Sequence, residues 1–236
     1  MAGKPAGVPD TARAAGEDAQ APRIGVLAVQ GDFEAHAKAL ERLGCEALEV
    51  RRPAQLASLD GLIVPGGEST TISKGIATYG LEQPIREFAR AGRPLLGTCA
   101  GLIMADRDHL GLIDIVARRN AFGRQVKSFE ADLQVRGLGD EPVRAVFIRA
   151  PWIESHGAGV EVLAEIEGHP VVAREGNVLV AAFHPELTDD LRMHALFCAM
   201  TKVGERVGTT RGAAAAEGGA RDSHDFRGAS EASGLL

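Results

Sequence analysis

Short, unbroken apolar runs that end at glycine constrain this chain more than any other feature of its sequence. Ile24–Val29 is one such run. It is followed by Gly31, then by Phe33, Ala37 and Leu40 at helical spacing, with Gly44 as a stop. Cys45–Val50, though interrupted by Glu46 and Glu49, reads as a second strand, and Gly61–Val64 as a third that ends in Pro65-Gly66-Gly67. Pro94–Thr98 is a fourth, between a helical stretch over Leu81–Ala91 and a further helix after Cys99. Strands alternating with helices in this way imply a parallel sheet covered on both faces. Downstream, Val160–Ile166, Val171–Arg174 and Val178–Phe183 are separated by Glu167-Gly168 and Gly176-Asn177, which are hairpin signals. The expected fold is therefore α/β: a doubly wound, mostly parallel sheet with helices on both faces and a small antiparallel meander in the C-terminal half. A last helix is expected from about Asp189. Thr188 would be its N-cap, and Leu196, Met200 and Val203 its apolar residues.

The folded unit is expected to span residues 23–203 of the 236. Residues 1–22 are rich in Ala, Gly, Pro and Asp and read as a disordered extension. Residues 204–236, with "TTRGAAAAEGGARDS", hold too few large apolar side chains for a core and read as a disordered tail. A formal charge of −6 offers no basic surface for nucleic acid or an anionic membrane. No apolar run approaches the roughly 20 residues that cross a bilayer. Cys45, Cys99 and Cys198 lack metal-site spacing and are odd in number. They imply a reducing, cytoplasmic setting rather than a disulfide framework, with no metal and no cofactor.

Ligand sites in open α/β sheets form at the carboxyl ends of the strands. Three segments share that position: Pro65-Gly66-Gly67-Glu68-Ser69, Gly97-Thr98-Cys99-Ala100-Gly101 and His184-Pro185-Glu186. The Gly-x-Cys-x-Gly pattern has the logic of a nucleophile elbow, a strained strand-to-helix turn that presents a side chain at the sheet's rim. The unpaired amides opening the next helix favour a thiolate, and that of Ala100 is placed to serve an oxyanion. Proline after His184 favours extended backbone there, so His184 and Glu186 project to the same side and the carboxylate can orient the imidazole. Adjacent glycines let amides approach a ligand, making that of Gly67 a second oxyanion donor. Taken singly, Cys99 also reads as a small core hydrophobe, His184-Pro185-Glu186 as a capped loop, and Pro65-Gly66-Gly67 as a plain turn. The other histidines, His36, His109, His156, His169, His194 and His224, have no ligand spacing and read as surface or packing residues.

With these residues in place the chain resembles the class I, triad-type glutamine amidotransferases, over essentially Arg23 to Val203. Within them it resembles the vitamin B6 subgroup, the glutaminase subunits of pyridoxal 5′-phosphate synthases. The motifs are "GVLAVQGDFEAH", "GLIVPGGESTTI", "PLLGTCAGLI", "RRNAFGRQVKSFEADL", "VFIRAP" and "AAFHPELTDD". The elbow and the His-Pro-Glu are common to the class. "PGGESTT", "RNAFGRQ" and "FIRAP" are far more restricted and point to the subgroup. The resemblance implies Cys99 as nucleophile, His184 as base and Glu186 as orienting acid. It implies contacts to L-glutamine from Gly67, Glu68, Ser69, Arg119, Ile148 and Arg149. Arginine suits the amino acid's carboxylate because its planar fork binds it bidentately. The implied partner is a separate synthase subunit with a (β/α)₈-barrel fold, in a hetero-oligomeric complex. The segment "DRDHL", residues 106–110, is short against the family pattern, and both tails lack a counterpart in it. Two other functions fit the same motifs in part: a glutaminase for histidine or purine synthesis, and a redox-sensing or chaperone-like protein of similar fold. The second has no use for Glu186 or the two arginines.

Overall fold

The computed structural model describes residues 21–122 and 128–201. The expected terminal extension and tail lie almost wholly outside these residues, as do His224 and the last three residues of "RNAFGRQ". Eleven strands are present among the described residues. The first four are β1 (Arg23–Leu27), β2 (Glu46–Val50), β3 (Gly61–Val64) and β4 (Leu95–Thr98). Next come β5 (Ile115–Arg118), β6 (Ser128–Leu133), β7 (Val143–Ile148) and β8 (Trp152–His156). The last three are β9 (Glu161–Ile166), β10 (His169–Glu175) and β11 (Val178–Ala181).

Seven of them form one sheet in the order β2-β1-β3-β4-β11-β10-β9. The first five run parallel, and β10 and β9 follow antiparallel at one edge. Strand β11 thus belongs to the parallel sheet and to the meander at once, so the meander extends the main sheet rather than standing beside it. β3, β4 and β11 are buried at every residue, as strands covered on both faces must be. The Glu167-Gly168 hairpin has a two-residue loop, with φ of 51° and 78°, which suits the right-handed twist of its strands.

Helices α1 (Phe33–Arg42), α2 (Ser69–Thr78), α3 (Glu82–Arg90) and α4 (Ala100–Ala105) are joined by α5 at residues 192–201. Gly61 lies against Phe197 and Thr201 of α5, while Val64, of opposite parity on the same strand, meets Gly101 of α4. Both faces are therefore covered. Helix α5 begins three residues later than expected, and Thr188 does not cap it. The Thr188 hydroxyl instead accepts from Asp190 N, and Asp190 Oδ1 accepts the Arg192 N–H that opens the helix.

Helix α2 and two antiparallel ribbons, β5–β8 and β6–β7, are the elements the apolar pattern did not announce. Ser69, Thr70, Thr71 and Gly75 are poor helix formers. Helix α2 is held by its N-cap Glu68, which accepts from Thr70 N and Thr71 N, and by the burial of Ile72 and Ile76. The short "DRDHL" segment is pinned by Asp106. Its buried carboxylate accepts from the backbone of Asp108, His109 and Ala117 and pairs with His109 Nδ1 at 2.7 Å. Among the described residues no helix is long and apolar enough to cross a membrane.

Candidate active site

Val64, Gly97 and Val180 stand in one row across β3, β4 and β11. The three segments picked out in the sequence leave the sheet just beyond that row, side by side. After β4 the chain turns through Cys99, whose φ of 48° and ψ of −105° are strained for a residue with a side chain. Its N–H donates to Ala181 O at 2.8 Å, which fastens the elbow to β11. The flanking glycines serve a different purpose from the one the elbow pattern suggests, since neither has a positive φ. A Cβ on Gly97 would stand 2.6 Å from Gly101 O, and one on Gly101 would collide with Val64 O. They let helix α4 lie directly on the strands, and the strain is carried by the cysteine itself.

His184 reaches the same point from β11. Its N–H donates to Val146 O of β7 at 2.9 Å, and its Nδ1 lies 2.7 Å from Glu186 Oε1. Its ring and the Cys99 side chain both pack on Gly66 and border one cavity, with Cys99 Sγ 3.8 Å from Ile148 O. Burial opposes a charge on His184, but the hydrogen bonds from Cys99 and Glu186 outweigh it, and the imidazole is pushed up to about 10. Burial likewise opposes the Glu186 carboxylate, yet the His184 hydrogen bond holds it below the usual carboxylate range. Sulfur, imidazole and carboxylate therefore meet at one point, with the imidazole hydrogen-bonded to the carboxylate. Gly66 completes the packing: a Cβ there would strike His184 Cε1 and stand 3.1 Å from Cys99 Cβ.

A cavity of about 240 Å³ opens onto this point. Every substrate-contact and oxyanion residue expected from the sequence borders it: Gly67, Glu68, Ser69, Ala100, Arg119, Ile148 and Arg149. Cys99 and His184 border it too, although Cys99 is only 6% exposed. Glu186 sits behind His184, out of the cavity. Gln30, Ile103, Asn120 and Pro151 also line it and were not singled out in the sequence. Gln30 and Asn120 lay inside quoted motifs, but polarity in a loop gives no signal by itself. Gln30 Oε1 accepts from Glu68 N at 2.7 Å and packs on Gly67, whose φ of 152° places it where side chains are strained.

The far wall comes from the two ribbons. Arg119 and Asn120 follow β5, and Arg149 and Pro151 lie between β7 and β8. Ala121 N donates to Ala150 O at 3.1 Å and ties the two loops together. Phe122 packs against Phe129, Phe147 and Trp152 beneath them. Arg119 Nη2 lies 3.5 Å from Glu68 Oε1 and 3.4 Å from Thr70 Oγ1. Hydrogen bonds from the Thr70 amide and from Thr71 hold the Glu68 carboxyl down at about 2, so it stays ionised. The cavity is thus bordered by Arg119 and Arg149 and by Glu68, whose carboxylate caps α2 and lies 3.5 Å from Arg119 Nη2. Among the described residues no cluster of three or more His, Cys, Asp or Glu is arranged to hold a metal ion.

Of the remaining histidines, expected at the surface or in packing, His36 and His194 are fully buried, with His36 Nε2 3.3 Å from Glu186 Oε2 and the two rings tilted at 56°. Cys45 and Cys198 are core residues as expected, but their sulfurs meet at 3.3 Å, across 153 residues of sequence.

Comparison with known proteins places this arrangement. The profile of the SNO glutamine amidotransferase family matches residues 26–203. "Pyridoxal 5′-phosphate synthase subunit PdxT" of Streptomyces avermitilis is 54% identical over 190 residues, covering 77% of this chain and 94% of that protein. The protein of the same name from Carboxydothermus hydrogenoformans is 52% identical over 182 residues, covering 74% and 95%. A solved structure described as a glutamine amidotransferase superposes with a TM-score of 0.72 at 49% identity, covering 76% of this chain and 98% of that one. The structure of PurLQS from Thermotoga maritima shares the fold at 18% identity, with a TM-score of 0.57, over 80% of this chain and 100% of that one. With its profile matched from strand β1 into helix α5, and with relatives at more than half identity, the chain belongs to the SNO glutamine amidotransferase family.

Proposed function

We propose that the chain is the glutaminase subunit of a cytoplasmic pyridoxal 5′-phosphate synthase. It hydrolyses L-glutamine and hands the ammonia to a separate (β/α)₈-barrel subunit. The observation that carries this reading is the meeting of Cys99, His184 and Glu186 at the edge of a cavity walled by Arg119 and Arg149. The identity to proteins named as synthase subunits supports the pathway; the PurLQS structure shares only the fold.

In this reading Arg119 and Arg149 hold the α-carboxylate and Glu68 the α-ammonium, which aims the carboxamide at the sulfur. The Cys99 thiolate adds to the carboxamide carbon, and the amides of Gly67 and Ala100 stabilise the oxyanion. His184, protonated well above neutral pH, gives its proton to the departing nitrogen. The C–N bond breaks, and ammonia leaves a γ-glutamyl thioester. Acylation removes the thiolate that held the proton on His184. The neutral imidazole then takes a proton from water, which attacks the thioester and releases glutamate. Free ammonia would be protonated in bulk water, so it must pass shielded to the barrel subunit. There it would combine with a pentose phosphate and a triose phosphate.

The test is glutamate release from L-glutamine with and without the synthase subunit. Turnover is expected to rise when the partner is added and to vanish in Cys99→Ala. A Cys99→Ala complex that still releases glutamate at the wild-type rate overturns the assignment. So does a single chain whose full activity is unchanged by the partner.

A further inference from the structure

Behind the candidate triad lies a second histidine line that the mechanism above does not use. His36 on α1 and His194 on α5 are both 0% exposed. His36 Nδ1 and His194 Nε2 are 3.0 Å apart. On its other edge His36 Nε2 lies 3.3 Å from Glu186 Oε2 and 3.3 Å from Thr98 Oγ1. Glu186 spends Oε1 on His184, and its buried Oε2 makes no well-aligned hydrogen bond, so His36 is its polar neighbour by distance alone. Thr98 Oγ1 also accepts from Gly66 N at 3.1 Å, and Gly66 is the residue packed on His184 and Cys99. One imidazole therefore touches the support of both the acid and the glycine turn.

Resting on the glutaminase reading, we propose that His36 is a positioning residue for the reaction. Its Nε2–H is aligned with Thr98 Oγ1 and lies beside the second carboxylate oxygen of Glu186, while His194 fixes its tautomer from behind. Two independent features select that tautomer. A bare Nε2 would set a lone pair against a carboxylate at 3.3 Å in a buried site, where such repulsion is strong. The opposite end agrees. His194 Nδ1 is buried without a partner. If His36 Nδ1 accepts from His194 Nε2–H, that orphan is an acceptor; the reverse tautomer leaves an orphan N–H donor in the core. Buried polar groups left without partners are rare, and an unpaired N–H is the rarer kind. Burial lowers the pKa of both rings, in keeping with a neutral pair. His36 does not border the cavity, so it acts by keeping the Glu186 carboxylate turned to His184 rather than by touching glutamine.

Two measurements test this. In the wild-type chain labelled with ¹⁵N-histidine, NMR should show His36 protonated at Nε2 and bare at Nδ1. The reverse tautomer overturns the proposal without reference to activity. In the complex with the synthase subunit, His36→Leu should lose about 10–100-fold in kcat for glutamine hydrolysis with KM little changed. His36→Gln, whose amide reaches the same place, should recover most of that loss. Full kcat in His36→Leu, or a loss confined to KM, overturns the positioning role while leaving the glutaminase reading intact. A wild-type complex that releases no glutamate overturns the parent reading instead. Should His36→Leu fail to fold, the tautomer decides.

Discussion

The two walls of the cavity are built on opposite principles. The wall of β3, β4 and β11 is buried, hydrogen-bonded and strained, with Cys99, His184 and Glu186 each fixed by backbone contacts or by one another. The ribbon wall carries residues on loops, with the Arg119 side chain 49% exposed. Chemistry demands positions accurate to a fraction of an ångström, and a packed rim supplies them. Recognition of a charged amino acid tolerates longer, more mobile arms. The comparison makes a sharp claim: changes on the rim lower kcat, and changes on the ribbons raise KM.

The largest effect should come from Glu186→Gln, which keeps the shape but removes the charge that orients His184. A loss of about 10⁴-fold in kcat is the precedent for the matching change in a serine triad. Glutamate release within tenfold of wild type would break the rim's half of the comparison. Next is Gly66→Ala, whose methyl would push into His184 and Cys99. Displacing the pair by about an ångström should cost roughly 10²-fold, with the melting temperature near wild type. On the ribbons, Arg119→Ala should raise KM by about 10–100-fold, the value of a lost charge-assisted hydrogen bond, and leave kcat near wild type. Arg119→Lys should recover only part, because the planar fork is lost. A fall in kcat with unchanged KM would move Arg119 from recognition to chemistry.

Acid should expose the rim's dependence on neutral buried rings. Burial, with His36 beside it, pushes His194 down to about 3. Its contribution to stability is complete above the unfolded value of 6.5 and is lost as pH falls from there towards 3. Urea titrations at pH 7 and pH 5 should show a lower midpoint at pH 5, at about 1.4 kcal/mol per pKa unit traversed. His184, already protonated in the folded state, offsets part of this fall, so a midpoint that rises at pH 5 would refute the neutral assignment. The smallest effect is Arg144→Ala, which removes exposed pairs with Glu130 and Asp132 on the outer ribbon. It should change neither kcat nor Tm.

The same division explains what the sequence made legible. The bounds of β3 were readable to the residue, and those of β4 to within one, because a strand buried on both faces is uninterrupted in apolarity. The three functional segments shared a rim because each followed such a strand. The ribbons were opaque: β5 pairs with β8 from Ile115 opposite His156, a partnership no local pattern encodes. Arg119, Ile148 and Arg149 entered only through family motifs for that reason. Helix α2 was opaque because its cap and packing override its composition. The contact between His36 and His194 was opaque for a like reason, since 158 residues separate two rings that touch.

Cys99 and Arg149 share an uncommon backbone, with φ of 48° and 45°. Conformations of this kind cost of order 1–3 kcal/mol each for residues that carry a side chain. Selection for heat tolerance alone would find easy gains by placing glycine at either position, and each gain would remove a functional group from the cavity. A hardier enzyme must therefore be sought in the helices and outer strands, with these two torsions left as they are.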